Sequence, residues 1–274
     1  MRSQSSTALR NVLESHKVSD MVDAKSKEAV IEIDSEMSAI EAADVLWGKN
    51  ILGAPVWDEK AQKYLGFFDI RDILSAVIAA SKIDSDDPFN AKMVDALGNR
   101  PEHTVAVSYL AARNPFISCA PDATLSELCH KLAARKTMTC HRIPIIDKSS
   151  SKKCQSIVTQ SALVKYLSDK CSSEDLQQSL DEAGFPYKKN VISVPDTLEA
   201  HKAFDLLDSK RLSGLAVVDE ETGVLVGNTS ARDMKYAYLD EGRTDMNTDI
   251  LSYLARVRMS TCKKARYPTC HVHE

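Results

Sequence analysis

The chain lacks any apolar run approaching the roughly 20 residues that a membrane span needs; its longest, around 74–80, reads as amphipathic helix. Residues 1–7 are polar and lack the apolar core of a secretory signal. Arg2, Arg10 and several serines precede the first acid at Glu14, which leaves an organellar transit peptide as an alternative. An excess of one charge is missing too: a formal net charge of −4 and a pI near 6.0 give no global attraction to nucleic acid or acidic membranes. No phosphate-loop lysine motif, Gly-x-Ser-x-Gly elbow or His-Glu-x-x-His pair occurs, so no catalytic residues are expected and the chain is not read as an enzyme.

Close cysteine pairing is absent as well. The seven cysteines (Cys119, Cys129, Cys140, Cys154, Cys171, Cys262, Cys270) are odd in number and include no Cys-x-x-Cys. A chain of 274 residues does not need disulfides to hold a core. Reduced thiols in a cytoplasmic or nuclear compartment follow. Cys262, Cys270, His271 and His273 could be drawn as a zinc site, but the spacing is wrong and the alternation fits a β-strand. No metal is expected.

What is present is repetition. A strand closing on an acid occurs three times, as Ala54-Pro55-Val56-Trp57-Asp58, Ile143-Pro144-Ile145-Ile146-Asp147 and Leu215-Ala216-Val217-Val218-Asp219. Each leads through a second strand into a helix at "GFFDIRD" (66–72), a degenerate "SIVTQSA" (156–162) and "GNTSARD" (227–233). The same interval separates Asp58 from Asp72 and Asp219 from Asp233, and Asp147 to Ala162 is one residue longer. Such copies are small units that bury apolar faces against neighbours. A carboxylate at a strand-to-helix turn, beside a helix N-terminus, suits a ribose next to a phosphate.

Each copy reads β-α-β-β-α, giving an α/β fold. After a lead-in helix at 8–22, copy one has a strand at 29–33, a helix capped by Asp34 or Ser35 and running to 48, strands at 53–57 and 64–68, and a helix at 70–80. Copy two has strands at 116–119, 142–146 and 155–159, a helix opened by Pro121-Asp122-Ala123-Thr124, and a closing helix at 161–168. Copy three has strands at 191–194, 214–218 and 225–228, a helix opened by Pro195-Asp196-Thr197, and a closing helix at 231–239. Bridging helices are expected at 91–97, 105–112, 174–183 and 249–259, and 267–274 reads as the first strand of a fourth copy.

These units, with Gly-x-x-[Ser/Thr/Asp]-x-x-Asp at the turn, resemble CBS domains, which pair into Bateman modules. "CHRIPIID" (140–147), "LGAPVWD" (52–58), "RLSGLAVVD" (211–219) and "TCHVHE" (269–274) are similar to segments of the gamma regulatory subunits of AMP-activated protein kinase. The resemblance implies tandem CBS repeats at about 18–82, 105–170 and 186–240. The first two would form a Bateman module over 1–172, and 173–274 would hold the third repeat and the opening strand of a fourth. It implies a non-catalytic subunit that senses AMP, ADP or ATP without other cofactors. Its partners would be a protein kinase catalytic subunit and a scaffold subunit, with a homodimer through CBS repeats as a further association; neither nucleic acid nor membrane is expected.

Carried over residue by residue, Asp72 and Asp233 would accept hydrogen bonds from ribose hydroxyls, each about 1.5–3 kcal/mol for a charged acceptor. Ser230 would donate to phosphate at the helix N-terminus. His141 and Arg142 would reach phosphates, and Arg211, Ser213 and Thr159 occupy related positions. Ala162 stands where a ribose carboxylate belongs, so copy two has no such anchor. Asp69 stands where a hydroxyl is expected, and like charges about 4 Å apart repel by roughly 1 kcal/mol in water. Leu52, Gln160 and Ser161 replace cations of the relatives. The competing readings are helix capping for the two acids, a solvated strand start for His141-Arg142, and a CBS-fold scaffold that has lost nucleotide binding.

Overall fold

A helix needs its first backbone N–H groups satisfied, and the computed structural model shows side chains at the helix starts of copies one and two helping to do so. The structure describes residues 4–22, 29–83, 106–114, 116–133, 141–149, 153–170, 179, 181–182, 184, 191–235 and 246–260. Helix α1 (Gln4–Ser15) and a 3-10 turn (Val18–Asp20) lead in. Copy one follows as β1 (Ile33–Asp34), α2 (Ala39–Gly48), β2 (Gly53–Asp58), β3 (Lys63–Asp69) and α3 (Ile70–Ile83). Helix α4 (Val107–Ala112) precedes copy two, which comprises α5 (Leu125–Ala133), β4 (Arg142–Ile145), β5 (Ser156–Thr159) and α6 (Gln160–Lys170). Copy three is β6 (Ser193–Pro195), α7 (Ala200–Ser209), β7 (Gly214–Val218), β8 (Leu225–Ser230) and a 3-10 turn (Ala231–Asp233). Helix α8 (Ile250–Ser260) comes last among the described elements.

The sheets follow the repeat. Strands order as β1-β2-β3, β4-β5 and β6-β7-β8. In copy three β6 runs parallel to β7, which pairs antiparallel with β8. In copy two the first strand shrinks to one parallel bridge, Cys119 to Ile145. The expected strand at 29–33 likewise survives only as β1 at its end.

Four expectations shift. The cap of α2 is Ser38, not Asp34 or Ser35: Glu41 N–H donates to Ser38 Oγ (3.3 Å) and Ser38 N–H to Glu41 Oε2 (2.8 Å). Asp34 instead accepts from Glu36 N–H, which makes a turn before the helix. The lead-in helix ends at Ser15, and α7 starts at Ala200, after Glu199. The closing helix of copy three opens as a 3-10 turn at 231–233, and its remainder to 239 lies largely outside the described residues, as do the helices expected at 91–97 and 174–183 and the strand at 267–274.

The chain divides into two compact units. The first holds Met1–Glu32, Trp57–Gly66 and Asn114–Tyr187; the second holds Ile33–Val56, Phe67–Arg113 and Lys188–Glu274. In the first unit Val18, Leu125, Leu128, Ile143 and Val158 form the core. The second unit has two cores, and α3 serves both. Its Ile73, Ala76 and Val77 pack with Leu46, Phe68 and Leu110. Its Leu74 and Ile78 pack instead with Phe204, Leu207, Met234 and Tyr253 of copy three and α8. A helix apolar over nearly its whole circumference belongs between two layers, which is where α3 lies. No helix among the described residues is long and apolar enough to cross a membrane.

Candidate functional site at the strand-to-helix turns

The candidate site is the turn between the third strand and closing helix of each copy. In copy one β3 ends at Asp69, whose Oδ1 accepts from Arg71 N–H (2.8 Å). Asp72 answers with Oδ2, accepting from Asp69 N–H (2.8 Å). In copy three Asp233 Oδ2 accepts from Ser230 N–H (2.8 Å), Ser230 Oγ (3.2 Å) and Thr229 Oγ1 (3.4 Å). In copy two Thr159 Oγ1 accepts from Ala162 N–H (3.0 Å), and Ala162 has no carboxylate to return the bond. The acid's bond back to the strand-end N–H is therefore present in copies one and three and has no counterpart in copy two.

Burial sharpens the picture. Asp72 is 5% exposed and Asp233 0% exposed, an unusual fate for an acid without hydrogen-bonding partners. The repulsion expected from Asp69 is partly met by its neighbour, because Arg71 Nη2 lies 3.5 Å from Asp69 Oδ2. Tyr253 of α8 donates to the backbone oxygen of Asp233 (2.8 Å) and packs edge-on to Phe204 at 5.5 Å between ring centroids. The turn is thus braced from its own chain start and from α8. Both motif acids lie in the second unit, where α3 packs against the 3-10 turn carrying Asp233.

The remaining predicted residues fall beside these turns. Arg142 pairs in register with Thr159, and Gln160 N–H donates to the oxygen of His141 (3.2 Å), so His141, Arg142 and Thr159 come together at one end of the β4-β5 pair. His141 Nδ1 lies 3.1 Å from Gln160 Oε1. Gly214 pairs with Ser230, which puts exposed Ser213 and Arg211 just ahead of the strand end that faces Ser230 and Asp233. In copy one, Leu52 accepts from Ile70 N–H (3.2 Å) at the place His141 takes in copy two. A side chain at Gly53 would meet Asp69 Cβ at 2.9 Å, so glycine permits this close strand approach.

Arg211 has a further peculiarity. It stands at φ 51°, the left-handed region that glycine favours. Leu212 N–H donates to Leu207 O (2.9 Å) and Arg211 N–H to Asp208 O (3.0 Å), a Schellman ending of α7. Asn50 holds the same place after α2 at φ 53°.

Sequence reasoning passed over Thr229, Arg71 and Tyr253. The adjacent hydroxyls in Asn228-Thr229-Ser230 and the Asp-x-Arg of copy one were available signals for the first and second. Tyr253 was not findable, since its partner lies 20 residues away. The thiols of Cys119, Cys129 and Cys154 are free, and no cluster of metal-ligating side chains occurs among the described residues.

Residues 18–79, 107–169 and 187–240 each match the CBS domain. The chain belongs to the CBS-domain family. Protein SDS23 of Eremothecium gossypii is 27% identical to it over 219 residues, which cover 74% of this chain and 43% of that protein. The 5'-AMP-activated protein kinase subunit gamma of Dictyostelium discoideum is 21% identical over 228 residues, covering 82% of this chain and 38% of its own. The subunit of the same name from Saccharomyces cerevisiae is 23% identical over 210 residues, covering 75% and 62%. The chain thus spans between 38% and 62% of the length of these CBS relatives. A solved Methanocaldococcus jannaschii protein, described as a proposed archaeal homologue of g-AMPK, has the same fold, with a TM-score of 0.63 at 15% identity, over 87% of this chain and 81% of its own.

Proposed function

We propose that the chain is a non-catalytic regulatory subunit that senses adenine nucleotides through its CBS repeats and modulates a partner protein kinase. The observation that carries this is the recurrence of a buried acid at the first helical turn of copies one and three, in a chain similar along most of its length to gamma subunits of AMP-activated protein kinase. A carboxylate has about four lone-pair sites, so the capping bond to Oδ2 leaves the group able to accept from ribose hydroxyls as well. Asp72 and Asp233 are the ribose acceptors in this reading. Ser230, Ser213 and Arg211 serve a phosphate in copy three; His141, Arg142 and Thr159 serve one in copy two. AMP, ADP or ATP shifts the kinase by binding one arrangement of the repeats more tightly than another.

The partners are a kinase catalytic subunit and a scaffold subunit, in the cytoplasm or nucleus. Repeats one and two make up a Bateman module over 1–172, and 173–274 carries repeat three and the start of a fourth.

A scaffold that has lost nucleotide binding is favoured by one observation: Asp233 is fully buried and its Oδ2 is already shared among three donors. Titration calorimetry of the full chain with AMP and ATP separates the two. Micromolar binding that Asp233→Ala abolishes supports sensing, and flat traces at millimolar nucleotide leave the scaffold.

A further inference from the structure

Adjacent pairs of Lys or Arg occur at 135–136, 152–153, 188–189, 210–211 and 263–264. Only Lys210-Arg211 has a hydroxyl two places beyond it, that of Ser213. Two cations at a helix end complement its dipole, which accounts for the basic pair but not for a serine at that spacing.

The fold presents this segment to solvent. Lys210 is the C-cap of α7, Arg211 follows at φ 51°, and Ser213 stands in a bend just before β7 opens at Gly214. Lys210, Arg211, Ser213 and Gly214 are exposed; Leu212 between them is half-buried against the copy-three core.

A protein kinase selects its substrate by the charges along a short segment that holds the hydroxyl. Drawing 210–213 out into such a segment breaks two hydrogen bonds at the end of a helix, Arg211 N–H to Asp208 O and Leu212 N–H to Leu207 O. It also frees Arg211 from a conformation that disfavours an L-residue. The β7-β8 ladder, which starts at Gly214, need not open.

We propose that Ser213 is a phosphorylation site for a basophilic protein kinase, with Lys210 and Arg211 as the recognised pair. Ser213 Oγ forms a bond to the γ-phosphorus of a nucleoside triphosphate as the bond from that phosphorus to the β–γ bridging oxygen breaks. The hydroxyl proton passes to the kinase's catalytic aspartate, and the nucleoside diphosphate leaves. The phosphoserine carries a charge of about −1.5 to −2 at neutral pH, at the strand end where Gly214 pairs with Ser230. Its effect on nucleotide rests on the sensor reading given above: the new phosphate would stand where that reading sets the phosphate of the copy-three ligand, and repel it.

Incubation of the folded full chain with the catalytic subunit of cyclic-AMP-dependent protein kinase and magnesium ATP tests the site, with mass spectrometry to locate the phosphate. Ser213 is labelled, and total labelling falls to background in Ser213→Ala. Lys210→Ala and Arg211→Gly each slow labelling roughly tenfold or more, and Arg211→Lys recovers most of the rate; circular dichroism verifies folding of each variant. Labelling of Ser213 only after heat denaturation, or at a rate indifferent to both cations, overturns the proposal. So does a native chain unlabelled at Ser213 while a peptide of residues 207–217 is labelled. Calorimetry with AMP then compares the unmodified and phosphorylated chains: affinity falls at least tenfold on phosphorylation, and equal affinity overturns the effect on nucleotide. An unmodified chain that binds no AMP refutes the sensor reading instead, and the labelling rates alone then decide the site.

Discussion

Ser75, midway along α3, donates its hydroxyl to the carboxylate of Asp208 near the end of α7, 133 residues further on. The bond ties the closing helix of copy one to the opening helix of copy three. Hydrogen bonds to a charged acceptor contribute about 1.5–3 kcal/mol, less where water competes. Ser75→Ala is expected to lower stability by about 1 kcal/mol in urea denaturation, with the slope unchanged.

The half-made cap of copy two can be completed. Ala162→Asp supplies the carboxylate that Asp72 and Asp233 provide elsewhere, against a turn where Thr159 already accepts from residue 162. The expected gain is about 0.5–1 kcal/mol, read as a higher denaturation midpoint. Asp72→Ala, which removes the bond from Asp69 N–H at a buried position, moves the midpoint the other way by about 1–2 kcal/mol.

Arg211 sits in a backbone conformation that costs an L-residue about 1 kcal/mol. Arg211→Gly should therefore raise the thermal midpoint by a few degrees. If the arginine serves a phosphate as proposed, the same variant loses nucleotide affinity, and the two effects have opposite signs in one protein. Loss of stability in Arg211→Gly would contradict the assignment of strain.

Stability should fall at both ends of the pH range. Ser38 N–H and Oγ lower the Glu41 carboxyl below its ordinary 4.5, and Thr222 does the same for Asp219 below 3.8. Their contributions are present above those ordinary values and lost as pH drops through the lowered ones. Glu41→Gln flattens the acid limb of the stability profile. At the alkaline end, burial pushes the Cys154 thiol from 9.0 to about 11. The native state keeps the thiol neutral while the unfolded chain ionises, so stability is full below pH 9.0 and is lost as pH rises toward about 11. Cys154→Ala removes part of that decline, measured by denaturation at stepped pH.

Much of the fold was legible because each copy restates it: strand-end acids and apolar stripes agreed three times over and turn glycines twice, and β2, β7 and α8 fall within a residue or so of expectation. The cap of α2 was misread because Asp34 and Ser35 are good capping residues too, and only the Ser38-x-x-Glu41 spacing distinguishes the true start. The first strands were expected too long, since their pairing depends on a single neighbouring strand rather than on their own apolar pattern. At the site, the acids and hydroxyls could be read in sequence. Their depth could not, because what seals Asp233 includes a helix whose approach is set by packing over α7. The double role of α3 was visible in principle: Ile73, Leu74, Ala76, Val77 and Ile78 leave too little polar face for a helix lying on one layer.

That double role has a consequence for dissection of the molecule. Because Leu74 and Ile78 are sheltered by residues that come more than a hundred positions later, cutting the chain after about residue 190 strips one whole side of α3 bare. The N-terminal fragment would inherit an oily ridge it cannot hide, and would clump or melt early although every residue of its own two repeats were intact. Copies one and three rise and fall together, joined by a rod that neither can spare.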